Sequence, residues 1–320
     1  MNRDKIKLKD YLLKVKVSKL YYQQNLSKIE ISKNLRISRF KVARLLESAV
    51  EKGIVTINIE EPENIYIDLE NELEKRFKIF RAYIVDSSSE YDLTKKNLGK
   101  VAANCLADIV HDGDTIGITW GTTIYEMIDA LPSKIDKKNI SVVQITGGLN
   151  QIETRYNAIE LSSRLSKIFN AKCYQLYAPA IVDGIQTKKL LFIDSNIKRT
   201  LEMFSKVNIA IVGIGSVTPK SSTLLCKEGF LKEEDMNTII VSNAAGDINT
   251  YFYTIEGNNC KLELEDRAVG MNIEQLKRVR YVIGVAGGEF KANAIYAAMK
   301  GKIINILVTD YNTAKILLEK

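Results

Sequence analysis

Histidine and cysteine are scarce in this chain of 320 residues, and the few that occur do not cluster. The only histidine, His111, stands in the turn-like segment HDGD, where a solvent-exposed loop residue is the ordinary interpretation. The four cysteines lie far apart and form no C-x-x-C pair, which is typical of reduced thiols in a cytosolic protein. A zinc site needs several such ligands at close spacing. The sequence therefore predicts no metal site and no resident cofactor.

Long apolar runs and nucleotide-binding fingerprints are missing as well. No stretch of about eighteen apolar residues occurs, and the first ten residues, MNRDKIKLKD, are too charged for a secretory signal. The segment GIGSVT has Gly213 and Gly215 but carries Thr218 where a dinucleotide-binding loop has its third glycine. No GxxxxGK[ST] motif is present. These absences favour a cytoplasmic protein without a membrane segment or a bound nucleotide.

Positive charge is concentrated at the amino-terminal end. Up to Gly53 there are fourteen basic and five acidic residues, a net charge of +9. The remaining 32 basic and 34 acidic residues give a net charge of −2, so the first sixth of the chain carries all of the excess. A lysine-rich solvated surface would explain the charge equally well. A polyanion-binding head on a near-neutral body is the functional interpretation.

Hydrophobic periodicity favours that functional interpretation. Residues 8–52 predict three amphipathic helices joined by short turns. Ser27 and Glu30 have the spacing of a capping box, and Ser38 can cap the third helix. Two short helices joined by a tight turn, with cations at the start of the second, indicate a helix-turn-helix that binds double-stranded operator DNA. The residues expected at the DNA lie at the two caps and in the first turns of the third helix: Ser27, Lys28, Ser38, Arg39, Phe40, Lys41 and Arg44.

The turn itself has an unfavourable residue. Helix-turn-helix turns often use glycine to reach positive φ, whereas here Arg36 or a neighbour must adopt that conformation. The expected cost is on the order of 1 kcal/mol.

Composition divides the chain into three segments. Residues 1–60 are the predicted DNA-binding domain, in which IVTINIE after Gly53 alternates as a strand does. Residues 61–79, with Pro62 and several acidic residues, are the predicted linker and connecting helix. Residues 80–320 are expected to bind an effector and to form oligomers.

From residue 80 onward, short apolar runs alternate with helical segments. This order predicts a doubly wound, mostly parallel α/β domain with helices on both faces of its sheet. The strand candidates are AYIV, DTIGIT, ISVVQIT, AKCYQLY, NIAIVGIG, TIIVSN, RYVIGVAG and INILVTD.

The ends of these strand candidates carry residues suited to an anionic small molecule. Ligands of such sheets bind outside the carboxyl ends of the strands. WGTT leads from a strand into a helix, where free amides and two hydroxyls can bind an anion. Any one of these loops is explained by ordinary turn chemistry. Several together favour a phosphorylated ligand, and the candidate effector residues are Gly121, Thr122, Thr123, Thr146, Gly147, Gly148, Gly213, Gly215, Asp247, Gly287, Gly288 and Lys291.

Nearly the whole chain resembles the SorC family of bacterial transcriptional regulators. The resemblance rests on YYQQNLSKIEISKNLRISRFKVARLLESAVEKG, GDTIGITWGTT, VVQITGG, YAPAIV, IAIVGIGSV, AAGDINTYFY, VIGVAGGEFKANAIYAAMKG and LVTDYNTAKILL. It implies a second domain of the kind shared with ribose-5-phosphate isomerase and glucosamine-6-phosphate deaminase. It also implies a phosphorylated sugar as effector and a homo-oligomer, a dimer of dimers.

The resemblance further assigns roles within the candidate set. It implies that Gly121 to Thr123 and Lys291 hold the phosphate. The residues that it implies for the sugar site are Thr146, Gly147, Gly148, Gly213 and Asp247. Three positions depart from the family pattern: Arg36 replaces a common glycine, Tyr251 replaces a frequent polar residue, and Thr146 excludes a Schiff base at that position.

Two other functions are compatible with parts of the sequence: a metabolic enzyme of the same fold and a protein-interaction module. An isomerase or deaminase of the same fold needs a positioned general base, for which Asp247 is the candidate. A DNA-binding head on a metabolic enzyme is hard to explain, so a regulator is favoured. A protein-interaction module at the amino-terminal end is disfavoured by its charge.

Overall fold

Helix caps and one small apolar core organise the amino-terminal part of the chain. In the computed structural model, which describes residues 2–58, 65–149, 153–218, 225 and 230–320, the chain divides into two units, Met1–Glu63 and Asn64–Lys320. The helices of the first unit are α1 (Asn2–Ser18), which continues into a π-helical turn (Lys19–Gln23), α2 (Lys28–Leu35) and α3 (Arg39–Glu51).

The apolar stripes of these three helices meet in one cluster. Val17 of α1, Ile31 of α2 and Val42, Leu45 and Leu46 of α3 are buried against one another. Burial of a large aliphatic side chain contributes about 1.5–3 kcal/mol, so these few residues supply most of the stability of a unit this small.

Both predicted caps are present. The Ser27 side chain accepts a hydrogen bond from the Glu30 amide at 3.3 Å, and the Glu30 carboxylate accepts one from the Ser27 amide at 2.8 Å. The Ser38 hydroxyl accepts a hydrogen bond from the Lys41 amide at 3.2 Å. The predicted helices and the turn between them are therefore confirmed.

Arg36 adopts the left-handed conformation that the sequence predicts for the turn, with φ 52°. The turn is stabilised by two hydrogen bonds between the same two residues. The Ile37 amide donates to the Ser32 carbonyl at 3.2 Å, and the Ser32 hydroxyl donates to the Ile37 carbonyl at 2.6 Å. These bonds offset the backbone cost at Arg36.

The strand predicted after Gly53 is wrong in its described part, because residues 54–58 form no strand. The amides of Ile54 and Val55 instead donate to the Ala49 carbonyl at 2.8 and 3.1 Å. Alternation makes a strand only where a partner strand is present, and here the chain folds back onto the end of α3.

The second unit is built on a seven-stranded parallel sheet with the order β1-β10-β9-β5-β2-β3-β4. A separate, small antiparallel sheet has the strand order β6-β7-β8. The strands are β1 (Arg81–Val85), β2 (Thr115–Ile118), β3 (Ser141–Gln144), β4 (Lys172–Tyr174), β5 (Ile209–Gly213), β6 (Gly215–Ser216), β7 (Ala244–Ile248), β8 (Tyr251–Thr254), β9 (Tyr281–Val285) and β10 (Ile306–Asp310).

Helices cover both faces of the parallel sheet. Along β5, Ile209 and Ile211 enter one apolar cluster, while Ala210 and Val212 enter the other. The doubly wound α/β fold is therefore confirmed. The described helices of this unit are α4 (Ile67–Phe77), α5 (Tyr91–Ile109), α6 (Thr122–Ala130), α7 (Ala158–Ile168), α8 (Ile185–Ile193), α9 (Ser195–Met203), α10 (Glu233–Val241), α11 (Ile273–Leu276), α12 (Ala292–Lys300) and α13 (Tyr311–Glu319).

One predicted strand is wrong. Most of TIIVSN forms the end of α10, and AAGDI, expected as a loop, forms β7. Three acidic residues in the first turn favour a helix through the helix dipole. In a short apolar run the periods of a helix and a strand are hard to distinguish, and here only Ile239 of the run is fully buried. Asp247 consequently lies on a strand of the small sheet.

The helix expected to connect the two domains packs within the second unit. Leu73 of α4 is buried in the same apolar cluster as Ala82 and Ile84 of β1. None of the helices in the described part of the chain is long and apolar enough to cross a membrane.

The Ser38 cap provides a test of how α3 is held. Ser38→Ala should lower the free energy of unfolding of the first unit by about 1 kcal/mol, because the Lys41 amide loses its acceptor. Chemical denaturation followed by circular dichroism measures this change. Ser38→Asp keeps an acceptor oxygen and should restore most of the loss. Equal stability of Ser38→Ala and the wild type would contradict a stabilising cap.

Candidate functional site

The predicted DNA-binding residues lie on the outer face of α3 and around the two caps. Phe40 is 85% exposed, and Arg39, Lys41 and Arg44 are exposed while Val42 and Leu45 face the core. None of these three cations has an ion-pair partner among the described residues. Lys28 differs, because it is half-buried and its ammonium lies 6.0 Å from the centre of the Tyr21 ring. The first unit therefore presents a cationic surface at the start of α3.

The predicted effector residues come from loops at the carboxyl ends of neighbouring strands. β2 and β5 are adjacent, and the chain leaves β2 toward β3 on one side and β5 toward β9 on the other. Such a reversal opens a crevice between the two outgoing connections, which is where ligands of open α/β sheets bind. We call the group of residues around this crevice the strand-end site; it comprises Gly121 to Thr123, Thr146, Gly213, Asp247, Gly288 and Lys291.

The loop after β2 turns directly into a helix. Gly121 occupies the cap position of α6 with φ 147°, a conformation that disfavours any side chain. Its amide donates to the Tyr156 carbonyl at 3.1 Å, and its carbonyl accepts from the Tyr125 amide at 2.9 Å. Thr122 and Thr123 begin α6, so their amides lie at the positive end of the helix dipole.

The loop after β3 is held by the protein itself. A β-carbon on Gly147 would lie 2.3 Å from the Pro179 carbonyl oxygen, so close contact with the chain, and not with a ligand, explains this glycine. Gly148 pairs with Pro179 and Thr146 pairs with Gly270 in isolated bridges. Thr146 is fully buried, and its hydroxyl has no partner among the described residues. This loop brings a buried hydroxyl to the strand-end site.

Asp247 and Lys291 meet beside the end of β5. Gly215 pairs with Asp247 across the small sheet, and the Lys291 ammonium donates a hydrogen bond at 2.8 Å to the carbonyl of Ile214, the residue before Gly215. Gly213 ends β5, and apart from its chain neighbours no atom of the described residues lies within 4 Å of the place where a β-carbon would stand. The sequence prediction that these residues converge is supported by these contacts.

The Asp247 carboxyl is almost fully buried, and its Oδ1 atom has no hydrogen-bond partner among the described residues. Burial raises the pKa of Asp247 to about 7, although the nearby charge of Lys291 opposes this shift. Burial and the neighbouring Asp247 in turn raise the pKa of the Tyr253 hydroxyl well above its ordinary value. A carboxyl group that titrates near neutrality can accept a hydrogen bond from a sugar hydroxyl when it is ionised, and can donate one when it is protonated.

Gly287 and Gly288 follow β9 and lead through a turn of 3₁₀ helix (Glu289–Lys291) into α12. The Gly288 amide donates to the Asp310 carboxylate at 2.6 Å. These two glycines thus position Lys291 while contacting a buried carboxylate at the end of β10.

Buried polar atoms without partners concentrate at this edge of the sheet. Among the described residues such atoms are found on Ser18, Trp120, Thr146, Asp247, Asn249 and Thr309. Trp120 directly precedes Gly121, and the side-chain Nδ2 of Asn249 donates to the carbonyls of Ile145 at 2.9 Å and Met271 at 2.6 Å. Buried polar groups in proteins are nearly always paired. Unpaired ones around a crevice therefore indicate a polar ligand.

Trp120 and Asn249 were missed as site residues by sequence reasoning. The anion-site pattern in WGTT includes only its glycine and threonines. Asn249 follows AAGDI, which the sequence predicts as a loop. Asn249 and Thr250 both have positive φ, at 58° and 68°. Positive φ at the β-branched Thr250 marks a strained turn, but this strain shows only in the structure.

One further candidate site does not involve the predicted effector residues. A cavity of about 780 Å³ is lined by Ser216, Tyr296, Lys300 and their neighbours, but by none of the twelve predicted effector residues. No group of three or more potential metal ligands occurs in the part of the chain that the structure describes. The geometry alone leaves the enzyme alternative open, because a buried carboxyl with a pKa near 7 also suits a general base.

Comparison with known proteins decides between regulator and enzyme. Residues 62–319 match the Sugar-bind family, a sugar-binding domain. The deoxyribonucleoside regulator of Bacillus subtilis (strain 168) is 32% identical over 307 residues, which cover 96% of this chain and 97% of that protein. The crystal structure of the full-length sorbitol operon regulator SorC from Klebsiella pneumoniae has a TM-score of 0.76 and 29% identity, covering 97% of this chain and 99% of that one. A DeoR family regulator from Listeria monocytogenes has a TM-score of 0.71 and 28% identity, covering 78% and 98%.

The chain therefore belongs to the SorC-related family of sugar-binding transcriptional regulators. The resemblance seen in the sequence is confirmed, and so is the preference for a regulator over an enzyme, because these relatives are named as transcriptional regulators.

Asp247 provides a test of the electrostatics of the site. Its pKa is raised in the folded state, so the folded protein retains a proton that the unfolded chain releases near pH 4. Wild-type stability should therefore fall as the pH rises from about 4 to about 7, by up to about 4 kcal/mol from this group. Asp247→Asn should lack this contribution.

Thermal unfolding of wild type and Asp247→Asn at several pH values measures the difference. The asparagine variant should gain stability relative to the wild type as the pH rises through this range. A difference that is constant from pH 4 to pH 8 would contradict a raised pKa.

Proposed function

We propose that this regulator binds operator DNA through α3 and that a small phosphorylated sugar, bound at the strand-end site, controls its binding. The observation that carries this proposal is the set of unpaired buried polar atoms of Trp120, Thr146, Asp247 and Asn249 at one edge of the sheet. Apolar ligands would leave these atoms unpaired, whereas the hydroxyls of a sugar can pair with them.

Two features of the site favour an anion, and the phosphate is assigned to them. The amino-terminal end of α6 offers the amides of Thr122 and Thr123, and Lys291 places a positive charge beside the end of β5. A helix dipole and an ammonium both favour an anion. The relatives named for sorbitol and for deoxyribonucleosides support a sugar-like effector here.

The assembly is proposed to be a homo-oligomer, a dimer of dimers. A helix-turn-helix protein commonly binds two half-sites through a two-fold axis, so one copy of α3 does not complete an operator complex. Large apolar side chains of the second unit are exposed around α8, where Leu190 is 67% and Ile193 75% accessible. Such residues are suited to an interface between copies.

The effector can be identified by a thermal-shift screen of phosphorylated sugars and their unphosphorylated forms. A ligand that binds only the folded state raises the melting temperature in proportion to the logarithm of its concentration over Kd. Stabilisation by the phosphorylated forms alone is expected. Stabilisation by unphosphorylated sugars to the same extent would contradict the phosphate assignment.

Arg39→Ala and Arg44→Ala test the DNA surface. Each should weaken operator binding by about 1–3 kcal/mol, roughly 5- to 100-fold, if the arginine contacts a base edge. Fluorescence anisotropy with a duplex selected by the wild type from a random library measures this affinity. Arg280→Ala, an exposed arginine of the second unit, is the matched control and should bind as the wild type does. Unchanged affinity of both test variants would move the DNA surface elsewhere.

Lys291→Ala tests the phosphate assignment. Loss of a charge-assisted contact of about 1.5–3 kcal/mol should weaken a phosphorylated effector by roughly 10- to 100-fold. Calorimetry with the sugar phosphate found in the screen measures this change, and Lys277→Ala, an exposed lysine, is the control. An equal loss for the unphosphorylated sugar would show that Lys291 contacts the sugar. Unchanged affinity would place the phosphate at Gly121 to Thr123 alone.

A further inference from the structure

One buried carboxylate joins the strand-end site to two other segments of the second unit. Asp310, the last residue of β10, is 2% exposed. It accepts hydrogen bonds at 2.6 Å from the Gly288 amide, the Ser87 hydroxyl and the Thr313 hydroxyl, and at 3.2 Å from the Thr313 amide. Gly288 belongs to the strand-end site, Ser87 follows β1, and Thr313 lies in the first turn of α13. The Asp310 carboxylate therefore holds these three segments together.

The strand-end site and Asp310 are in direct contact. A β-carbon on Gly287 would lie 2.5 Å from the Asp310 Oδ2 atom, so no side chain separates the loop from the carboxylate. Burial alone would raise the pKa of Asp310, but the hydrogen bonds from Ser87, Thr313 and Gly288 outweigh it and lower the pKa. The carboxylate is thus an anion at neutral pH. A phosphate bound near Gly288 and Lys291 repels this anion and competes with it for the Gly288 amide.

Tyr66 connects the same network to α4. Its hydroxyl donates to the Asp86 carboxylate at 2.6 Å, and Asp86 is the residue before Ser87. Its ring packs on the ring of Tyr311, the residue after Asp310, with centroids 4.9 Å apart. Tyr66 directly precedes α4 in the chain. At the start of α4, Tyr66 therefore contacts Asp86, the chain neighbour of Ser87, and Tyr311, the chain neighbour of Asp310.

α4 is in turn fixed along the edge strand β1. The carboxylates of Glu70 and Glu74 accept hydrogen bonds from the amides of Ile84 at 2.8 Å and Ala82 at 3.0 Å. β1 is the first strand in the sheet order, so these amides would otherwise lack partners. In the sequence, α4 is the first described helix after the helix-turn-helix unit.

We infer that the Gly288–Asp310–Ser87 contacts and the Tyr66–Asp86 hydrogen bond transmit ligand binding from the strand-end site to α4. Tyr66 is the positioning residue at the end of this path. The inference rests on the proposed function, because it assumes that an anionic effector binds beside Gly288 and Lys291. It adds the route by which that effector acts on α4, the first described helix of the second unit.

Hydrogen–deuterium exchange of the full-length chain, with inorganic phosphate or with chloride at matched ionic strength, tests this path. In the wild type, phosphate should change the exchange rate of amides in residues 121–125 and 287–292, and also in residues 65–77, by about threefold or more. Tyr66→Phe keeps the ring but removes the hydroxyl, and Ser87→Ala removes the hydroxyl that contacts Asp310. Both variants should keep the response at the strand-end site and lose the response in 65–77.

Tyr281→Phe is the matched control, since Tyr281 begins β9 at the opposite end of that strand from Gly287, and it should respond as the wild type does. A wild-type response confined to 121–125 and 287–292 overturns the path but leaves the proposed function intact. The same holds if Tyr66→Phe and Ser87→Ala still transmit the response to 65–77. Absence of any response overturns the phosphate assignment of the proposed function together with this inference.

Discussion

The parallel pairing of β2 with β5 is the constraint on which the second unit depends. Ile116 and Ile118 of β2 stand in register with Ile209 and Ile211 of β5, and all four enter one apolar cluster. The chain leaves these two strands in opposite directions, which opens a crevice between the two outgoing connections. The apolar pairing that stabilises the centre of the sheet thereby leaves a crevice at its end. The candidate effector residues lie at the ends of β2, β3, β5 and β9, in the turns and helix starts that follow these strands, or on β6 and β7.

The buried polar atoms around this crevice lower the stability of the folded protein. An unpaired buried donor or acceptor costs about 1–3 kcal/mol, and Thr146, Asp247 and Asn249 each carry an atom that has no partner among the described residues. A core of the same shape with apolar groups would be more stable. The protein retains polar atoms there, and the cost falls when a ligand pairs with them. Under the proposed function, the lower stability of the unliganded site and the binding of a polar effector are two consequences of the same side chains.

The sequence predicted the regular parts of both units well. Short apolar runs between helical segments identified the central parallel strands, because both faces of these strands are buried and the runs are nearly continuous. Serine caps identified α2 and α3, because a cap is a local interaction between residues three positions apart. The positions of Gly121 to Thr123 and Lys291, at helix starts that follow strands, were predictable for the same local reason, and their role in effector binding stays a prediction.

Prediction was less successful where long-range contacts decide the structure. Residues 54–58 alternate as a strand does but have no partner, and TIIVSN joins a helix because its acidic first turn lies several residues earlier. The contact between Asp310 and Gly288 joins residues 22 positions apart in the chain, and the one between Asp310 and Ser87 spans 223. No spacing rule finds such pairs, so the network around Asp310 and the buried amide of Asn249 became visible only in the fold.

Trp120 gives the strand-end site an optical property. It is the only tryptophan in the chain, so indole emission from the folded protein originates beside Gly121 and nowhere else. The indole packs on the apolar cluster around Leu149, Val217 and Phe252, and its N–H is buried without an acceptor among the described residues. Emission of an indole depends on the polarity and hydrogen bonding around its ring. The unlabelled protein therefore carries its own fluorophore at the place where its effector is expected to bind.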